Sequence, residues 1–189
     1  MKKIFLMAVM AIMAVTATAQ VEQGFRMGVR VNGGMSNVTG FDGDKMAFGY
    51  GLGWVAEYNF TSSLFLQSGL GLQNIAHKKD AIDGTLNAYY AQVPVHIGYR
   101  FGIGDASSLF IQAGPTIGCG LFGSKIEWYE GGESDYFDIM KRFDVGVGGR
   151  VGLEFSSFQI SAGADYGVLK VTDLGGHNLN INLGLAYMF

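Results

Sequence analysis

The sequence predicts an all-β protein: an eight-stranded antiparallel up-and-down transmembrane β-barrel. Three observations carry that expectation. Apolar side chains recur at every second position in eight successive segments, the period of a strand with one apolar face. After the N-terminal segment no run of eighteen apolar residues occurs, so no membrane-crossing helix is encoded there. Aromatic residues gather at the ends of the alternating segments, as they do in the two girdles of an outer-membrane barrel.

The chain begins "MKKIFLMAVMAIMAVTATAQ". A basic start (Lys2, Lys3), twelve apolar residues from Ile4 to Val15, and small residues at Ala17 and Ala19 describe a secretory signal peptide over residues 1–19. Twelve apolar residues are too few to span a bilayer as a helix. Cleavage after Ala19 leaves residues 20–189 as one domain, exported and destined for the outer membrane. Loss of Lys2 and Lys3 leaves 13 − 2 = 11 basic against 16 acidic residues, a net charge of −5. That balance argues against nucleic acid as a partner. A single cysteine, Cys119, precludes an internal disulfide and reads as a small apolar residue.

The eight segments fall at roughly 25–36, 46–60, 63–76, 86–102, 108–122, 141–155, 158–170 and 178–189. In the second, Phe48, Tyr50, Leu52, Trp54, Ala56, Tyr58 and Phe60 share a face opposite Gly49, Gly51, Gly53, Val55, Glu57 and Asn59. In the fourth, Val93, Val95, Ile97, Tyr99 and Phe101 oppose Gln92, Pro94, His96, Gly98 and Arg100. In the sixth, Val145, Val147, Val151 and Leu153 oppose Asp144, Gly146, Gly148, Arg150 and Glu154. A soluble barrel would show the same alternation. Glycine with scattered arginine and carboxylate, however, makes a poor solvated surface and suits the narrow interior of an eight-stranded barrel. Every lysine after the signal lies in or beside an expected loop, whereas all five arginines lie in strands.

Aromatic girdles are expected at Phe48, Tyr50, Tyr89, Phe143 and Tyr166 on one rim. On the other they are expected at Tyr58, Phe60, Tyr99, Phe101, Phe155, Phe158, Tyr187 and Phe189. Short turns follow the even-numbered strands. Longer loops follow the odd ones, including "NVTGFDGDK", "HKKDAIDGTL", "FGSKIEWYEGGESDYFDIMK" and "VTDLGGHN". Pro94 and Pro115 stand mid-strand, where a missing N–H implies a bulge or an interrupted ladder. The last segment, "NINLGLAYMF", places Leu185, Tyr187 and Phe189 on its apolar face and looks like the insertion signal read by outer-membrane assembly machinery.

The stretches "FRMGVRVNGGMSNV", "SLFLQSGLGLQNIAHKK", "YYAQVPVHIGYRF", "FIQAGPTIGCGL" and "RFDVGVGGRVGLEF", in this order and spacing, resemble the PorT-like small outer-membrane β-barrel family, of OmpA-type architecture. The resemblance spans nearly all of residues 20–189 and implies location and fold. A secretion-linked role does not transfer on fold.

Chemistry-bearing patterns are sparse. "GLGWVA" fits a G-x-G-x-x-A spacing, but no helix pattern follows it. His77, His96 and His177 lack metal-ligand spacing, and neither His77 nor His177 has a nucleophile beside it. No catalytic residue, cofactor or metal ligand is expected, and the protein reads as non-enzymatic. The acidic, aromatic loop around Glu127–Asp138 reads as a solvated loop packing its own aromatics. Arg26, Arg30, Arg100, Arg142 and Arg150 are expected in the lumen with Glu57, Asp144, Glu154 and Asp165, as an ion-pair core. The function expected is structural or surface-interacting in a Gram-negative envelope, with lipid around the barrel and an extracellular ligand or envelope protein at the loops. A narrow channel or a component of a secretion or transport assembly comes second, and a lipid-modifying enzyme third. Oligomeric state is not encoded legibly.

Overall fold

The computed structural model describes residues 23–40, 43–79, 82–104, 107–127 and 133–189. The expected signal peptide, with Ala17 and Ala19, lies outside them. Eight long strands carry the architecture: β1 (Gly24–Thr39), β2 (Asp44–Asn59), β3 (Leu64–Lys79), β4 (Ile82–Gly104), β5 (Ser107–Gly123), β8 (Phe143–Phe155), β9 (Phe158–Gly167) and β10 (His177–Met188). Between β5 and β8 come the three-residue strands β6 (Lys125–Glu127) and β7 (Glu133–Asp135) and one helical turn, α1 (Tyr136–Ile139). The long strands form a closed antiparallel barrel in the order β1-β10-β9-β8-β5-β4-β3-β2, and β6 and β7 form a separate ribbon.

Closure uses the last residues of the chain. β1 and β10 pair from Gly28 opposite Met188 to Thr39 opposite His177. One position further, Met27 and Phe189 exchange backbone hydrogen bonds of 3.2 and 2.7 Å. Every edge of the barrel is thereby paired, which a sheet immersed in lipid requires.

Period two sorts the side chains as the pattern predicts. Leu52, Ile97, Ile111 and Leu183 point outward, Leu183 with 68% of its surface exposed, while Glu57, His96 and Gln159 are buried inside. A surface this apolar is unstable in water but suits acyl chains. Among the described residues no helix is long and apolar enough to cross a membrane; the strands do so. Aromatic rings cluster toward both rims. Tyr50 bonds Tyr89 through their hydroxyls at 2.9 Å, and Tyr89 stacks on Phe122 with ring centroids 4.6 Å apart. At the opposite rim Tyr58 meets Phe60, Tyr99 meets Phe101, and Phe158 meets Tyr187.

Two of the four expected long loops are much shorter than expected. β3 and β4 continue through "HKKDAIDGTL" to Lys79 and Ile82, and β1 and β2 leave only 40–43 between them. The ladder continues because each arm has a partner in register, Lys78 opposite Thr85, so polar composition alone does not end it. Long connections remain between β5 and β8 and between β9 and β10. The second is fastened across the rim by an exposed ion pair of 2.7 Å between Lys141 and Asp173. Its hydrogen bond and charge hold the Asp173 carboxyl below the usual range.

The two prolines interrupt two different ladders. Pairing of β3 with β4 skips from Ser68–Val95 to Gly71–Gln92, the level where Pro94 would donate; its carbonyl instead accepts the Ser68 hydroxyl at 2.8 Å. Pairing of β4 with β5 skips from Pro94–Thr116 to Ile97–Ala113, the level where Pro115 would donate. In both cases the register on either side of the gap is unchanged, so these are interruptions and not bulges.

Candidate functional site in the barrel lumen

The lumen is stratified. Near the end that carries Phe189 lies a balanced cluster of two arginines and two glutamates. Each comes from an inward position of a different strand: Arg26 on β1, Glu57 on β2, Arg100 on β4 and Glu154 on β8. The Arg26 guanidinium donates to Glu57 Oε1 at 2.7 Å and to Glu154 Oε1 at 2.8 Å. Arg100 donates to Glu154 Oε2 at 3.0 Å, to Asn59 Oδ1 at 2.7 Å, and to Glu57 Oε1. Glu57 has 0% of its surface exposed. Charges so enclosed are tolerated because every one faces its opposite and the remaining lone pairs are bonded. Gln67 and Gln159 supply those bonds to Glu57 Oε2, at 2.8 and 3.4 Å. Beneath, the Arg100 guanidinium lies 4.0 Å from the centroid of the Phe65 ring.

Above this cluster sit Arg30, Arg150, His96 and Asp165. Arg30 donates to Gln67 Oε1 at 2.6 Å and makes no carboxylate pair among the described residues. Arg150 reaches Asp165 at 3.4 Å and His96 Nδ1 at 3.0 Å. A guanidinium can only donate, so Nδ1 is the acceptor and the imidazole proton sits on Nε2, which faces the Thr116 hydroxyl at 3.4 Å.

The nine residues expected in one ion-pair core therefore divide. Arg26, Glu57, Arg100 and Glu154 meet; Arg150 and Asp165 form a second pair; Arg30 is amide-bound between them. Asp144 accepts from Asn178 Nδ2 at 2.7 Å and has no ion-pair partner among the described residues. Arg142 is not in the lumen cluster. It is exposed at the loop rim, donating to the carbonyls of Gly120 and Leu121 at 3.2 and 3.0 Å, with its guanidinium 4.9 Å from the Phe137 ring centroid. It precedes β8, so strand alternation does not govern where it points. Gln67, Gln112 and Gln159 complete this network, and their inward phase on β3, β5 and β9 is the sequence signal for them.

The mouth at the loop end is closed by aromatics. Tyr136, 1% exposed, packs on His77 with ring centroids 5.9 Å apart, and Phe137 packs on Tyr90 at 5.5 Å. Ile75, Leu86 and Ala88 complete this apolar layer. Burial pushes the Tyr136 hydroxyl above its ordinary range. Glycine makes room: a Cβ at Gly123 would come within 2.6 Å of Tyr136 Cβ. The loop was expected to pack its aromatics on itself, but the structure turns two of them into the barrel. Trp128, Tyr129 and Glu130 lie outside the described residues.

His77, His96 and His177 stay apart, and among the described residues no group of three His, Cys, Asp or Glu could hold a metal ion. Cys119 is exposed on the lipid-facing side of β5. Leu185, Tyr187 and Phe189 are exposed on the outer face of the C-terminal strand, where Phe189 lies 6.4 Å from the Trp54 ring centroid.

A closed eight-stranded barrel with an apolar exterior, aromatic rims and a charged, filled interior defines a small outer-membrane β-barrel. The chain belongs to the family described as outer membrane protein beta-barrel domain, whose model matches residues 5–189. The match is to that family as a whole. Among solved structures, Neisserial surface protein A is similar at 12% identity and a TM-score of 0.55, over 88% of this chain and 100% of that one. Ail, the attachment invasion locus protein of Yersinia pestis, is similar at 18% identity and a TM-score of 0.47, over 88% and 99%. OprG from Pseudomonas aeruginosa is similar at 14% identity and a TM-score of 0.44, over 89% and 97%. The likeness to the Neisserial protein is one of fold. No curated protein matches the chain.

Proposed function

We propose that this protein is a closed, non-enzymatic outer-membrane barrel, exported through a cleaved signal peptide, whose role is structural or surface-interacting. The observation that carries this reading is the filled lumen: a bonded cluster of Arg26, Glu57, Arg100 and Glu154 at one end, and Tyr136 and Phe137 packed into the other. Eight strands leave an interior just wide enough for side chains, and here those side chains bond to one another across it. A barrel stoppered at both ends offers its environment only its loop end and its lipid-facing wall. The exposed residues of the two long connections, such as Lys141 and Asp173, are then the surface available to an extracellular ligand or envelope protein. The assembly machinery of the outer membrane is the partner proposed for Leu185, Tyr187 and Phe189.

Conductance across planar bilayers tests the reading. Purified, refolded protein should give no unitary current steps. Regular steps that vanish on heat denaturation would replace it with a narrow channel. Lipid mass spectrometry of membranes carrying the protein should show no modified species.

A further inference from the structure

Between the aromatic mouth and the Arg150–Asp165 pair lies a cavity of about 20 Å³, lined by Asp144, Asp165, Asn178 and Asn180. These residues come from three adjacent strands, β8, β9 and β10, and Asn180 stands directly opposite Asp165 in the β9–β10 register. One oxygen of each is buried without a hydrogen bond from the protein: Asp144 Oδ1, Asp165 Oδ1, Asn178 Oδ1 and Asn180 Oδ1. Both asparagines are more than nine-tenths buried, at 4% and 5% exposed. Their partners fix which oxygen is left over. Asn178 donates its amide to Asp144 Oδ2 at 2.7 Å, and Asp165 Oδ2 takes Arg150 and Asn182, each at 3.4 Å.

Four orphan acceptors around one small space specify a ligand. The Tyr90 hydroxyl beside Asn178, also unpartnered, can serve one of them. A single water donates two hydrogens, and a cavity of this size holds about one water. A cation, unlike a water, is not limited to two acceptors, and it also meets the charge of the Asp144 carboxylate, which has no ion-pair partner among the described residues. Two carboxylate and two amide oxygens, with no thiolate or imidazole, form a donor set that suits a hard divalent ion. The space itself is held open by glycine. A Cβ at Gly167 would come within 2.7 Å of Asp144 Oδ2, and a Cβ at Gly148 would collide with Asp165 Oδ1.

We propose that Asp144, Asp165, Asn178 and Asn180 bind one hard divalent cation of the calcium type inside the barrel, beneath its aromatic mouth. The site tethers β8, β9 and β10 at the end where their neighbours rise into loops.

The test uses the full chain refolded in detergent and freed of metal with EDTA. Terbium(III) serves as the probe, because Tyr166 lines the cavity and can sensitise its emission. Saturable one-to-one emission, displaced by calcium but not by an equal concentration of sodium, is expected, and calcium should raise the unfolding temperature. Asp144→Asn removes one charge, and Gly148→Ala fills the space beside Asp165 without removing a charge; each should weaken terbium binding at least tenfold. Heat-shifted electrophoretic mobility identifies the variants that fold, and either one suffices to decide. Absence of saturable emission in the wild-type protein overturns the proposal. So does unchanged affinity in a folded variant, which would assign the binding to the acidic loop between β5 and β8.

Discussion

Arg100 shows what one residue contributes inside this barrel. Its guanidinium serves both glutamates and Asn59 and rests on Phe65, so its removal leaves two buried carboxylates sharing Arg26 alone. Breaking a buried pair in this way costs about 3–5 kcal/mol. Arg150 holds one carboxylate at 3.4 Å and one imidazole, so less is lost with it. Arg142 sits in solvent reach at the rim and holds two carbonyls. Urea unfolding of detergent-refolded protein should therefore rank the leucine variants Arg100 most destabilised, Arg150 next and Arg142 least. Equal midpoints for Arg100→Leu and Arg142→Leu would mean that the lower cluster is hydrated and not an electrostatic core.

At the scale of the strand, phase decides everything. Val95 and Gln92 lie three positions apart on β4, the first facing lipid and the second the lumen. Arginine at a lipid-facing midplane position costs about 2–4 kcal/mol, whereas at 92 it enters a space bounded by Asp144 and Asp165. Val95→Arg should lower the yield of heat-shifted barrel in refolding assays far more than Gln92→Arg. The reverse order would show the faces inverted. β10 carries a second expectation. Phe189 closes the ladder through two backbone bonds to Met27 and packs near Trp54 and Tyr187, so its deletion should cost some stability in detergent. If its ring is also read during insertion, deletion should reduce the outer-membrane fraction in cells by more than that stability loss explains. A truncated chain that inserts normally leaves Phe189 as a closing and packing residue only.

The whole molecule is a cylinder whose apolar and polar surfaces are reversed relative to a soluble protein. A barrel of this kind resists detergent while folded, so boiled and unboiled samples should migrate differently on electrophoresis. Identical migration would contradict a closed barrel. Much of this architecture was legible beforehand. Period-two alternation placed all eight long strands and their lipid faces, because in a barrel the pleat assigns each side chain to lipid or lumen without reference to any distant partner. The inward phase of Arg26, Glu57, Arg100 and Glu154 was legible for the same reason. Which arginine meets which glutamate was not, since residues 128 positions apart, such as Arg26 and Glu154, meet through strand tilt and closure. Nor was the inward turn of Tyr136 and Phe137 visible: an acidic, aromatic loop looks alike whether it packs on itself or on a distant barrel mouth. Alternation is a local property of the chain, fixed by backbone geometry within two residues. Pairing across a lumen, a stoppered mouth and a cavity ringed by oxygens from three strands are properties of closure, and they exist only once β10 has met β1.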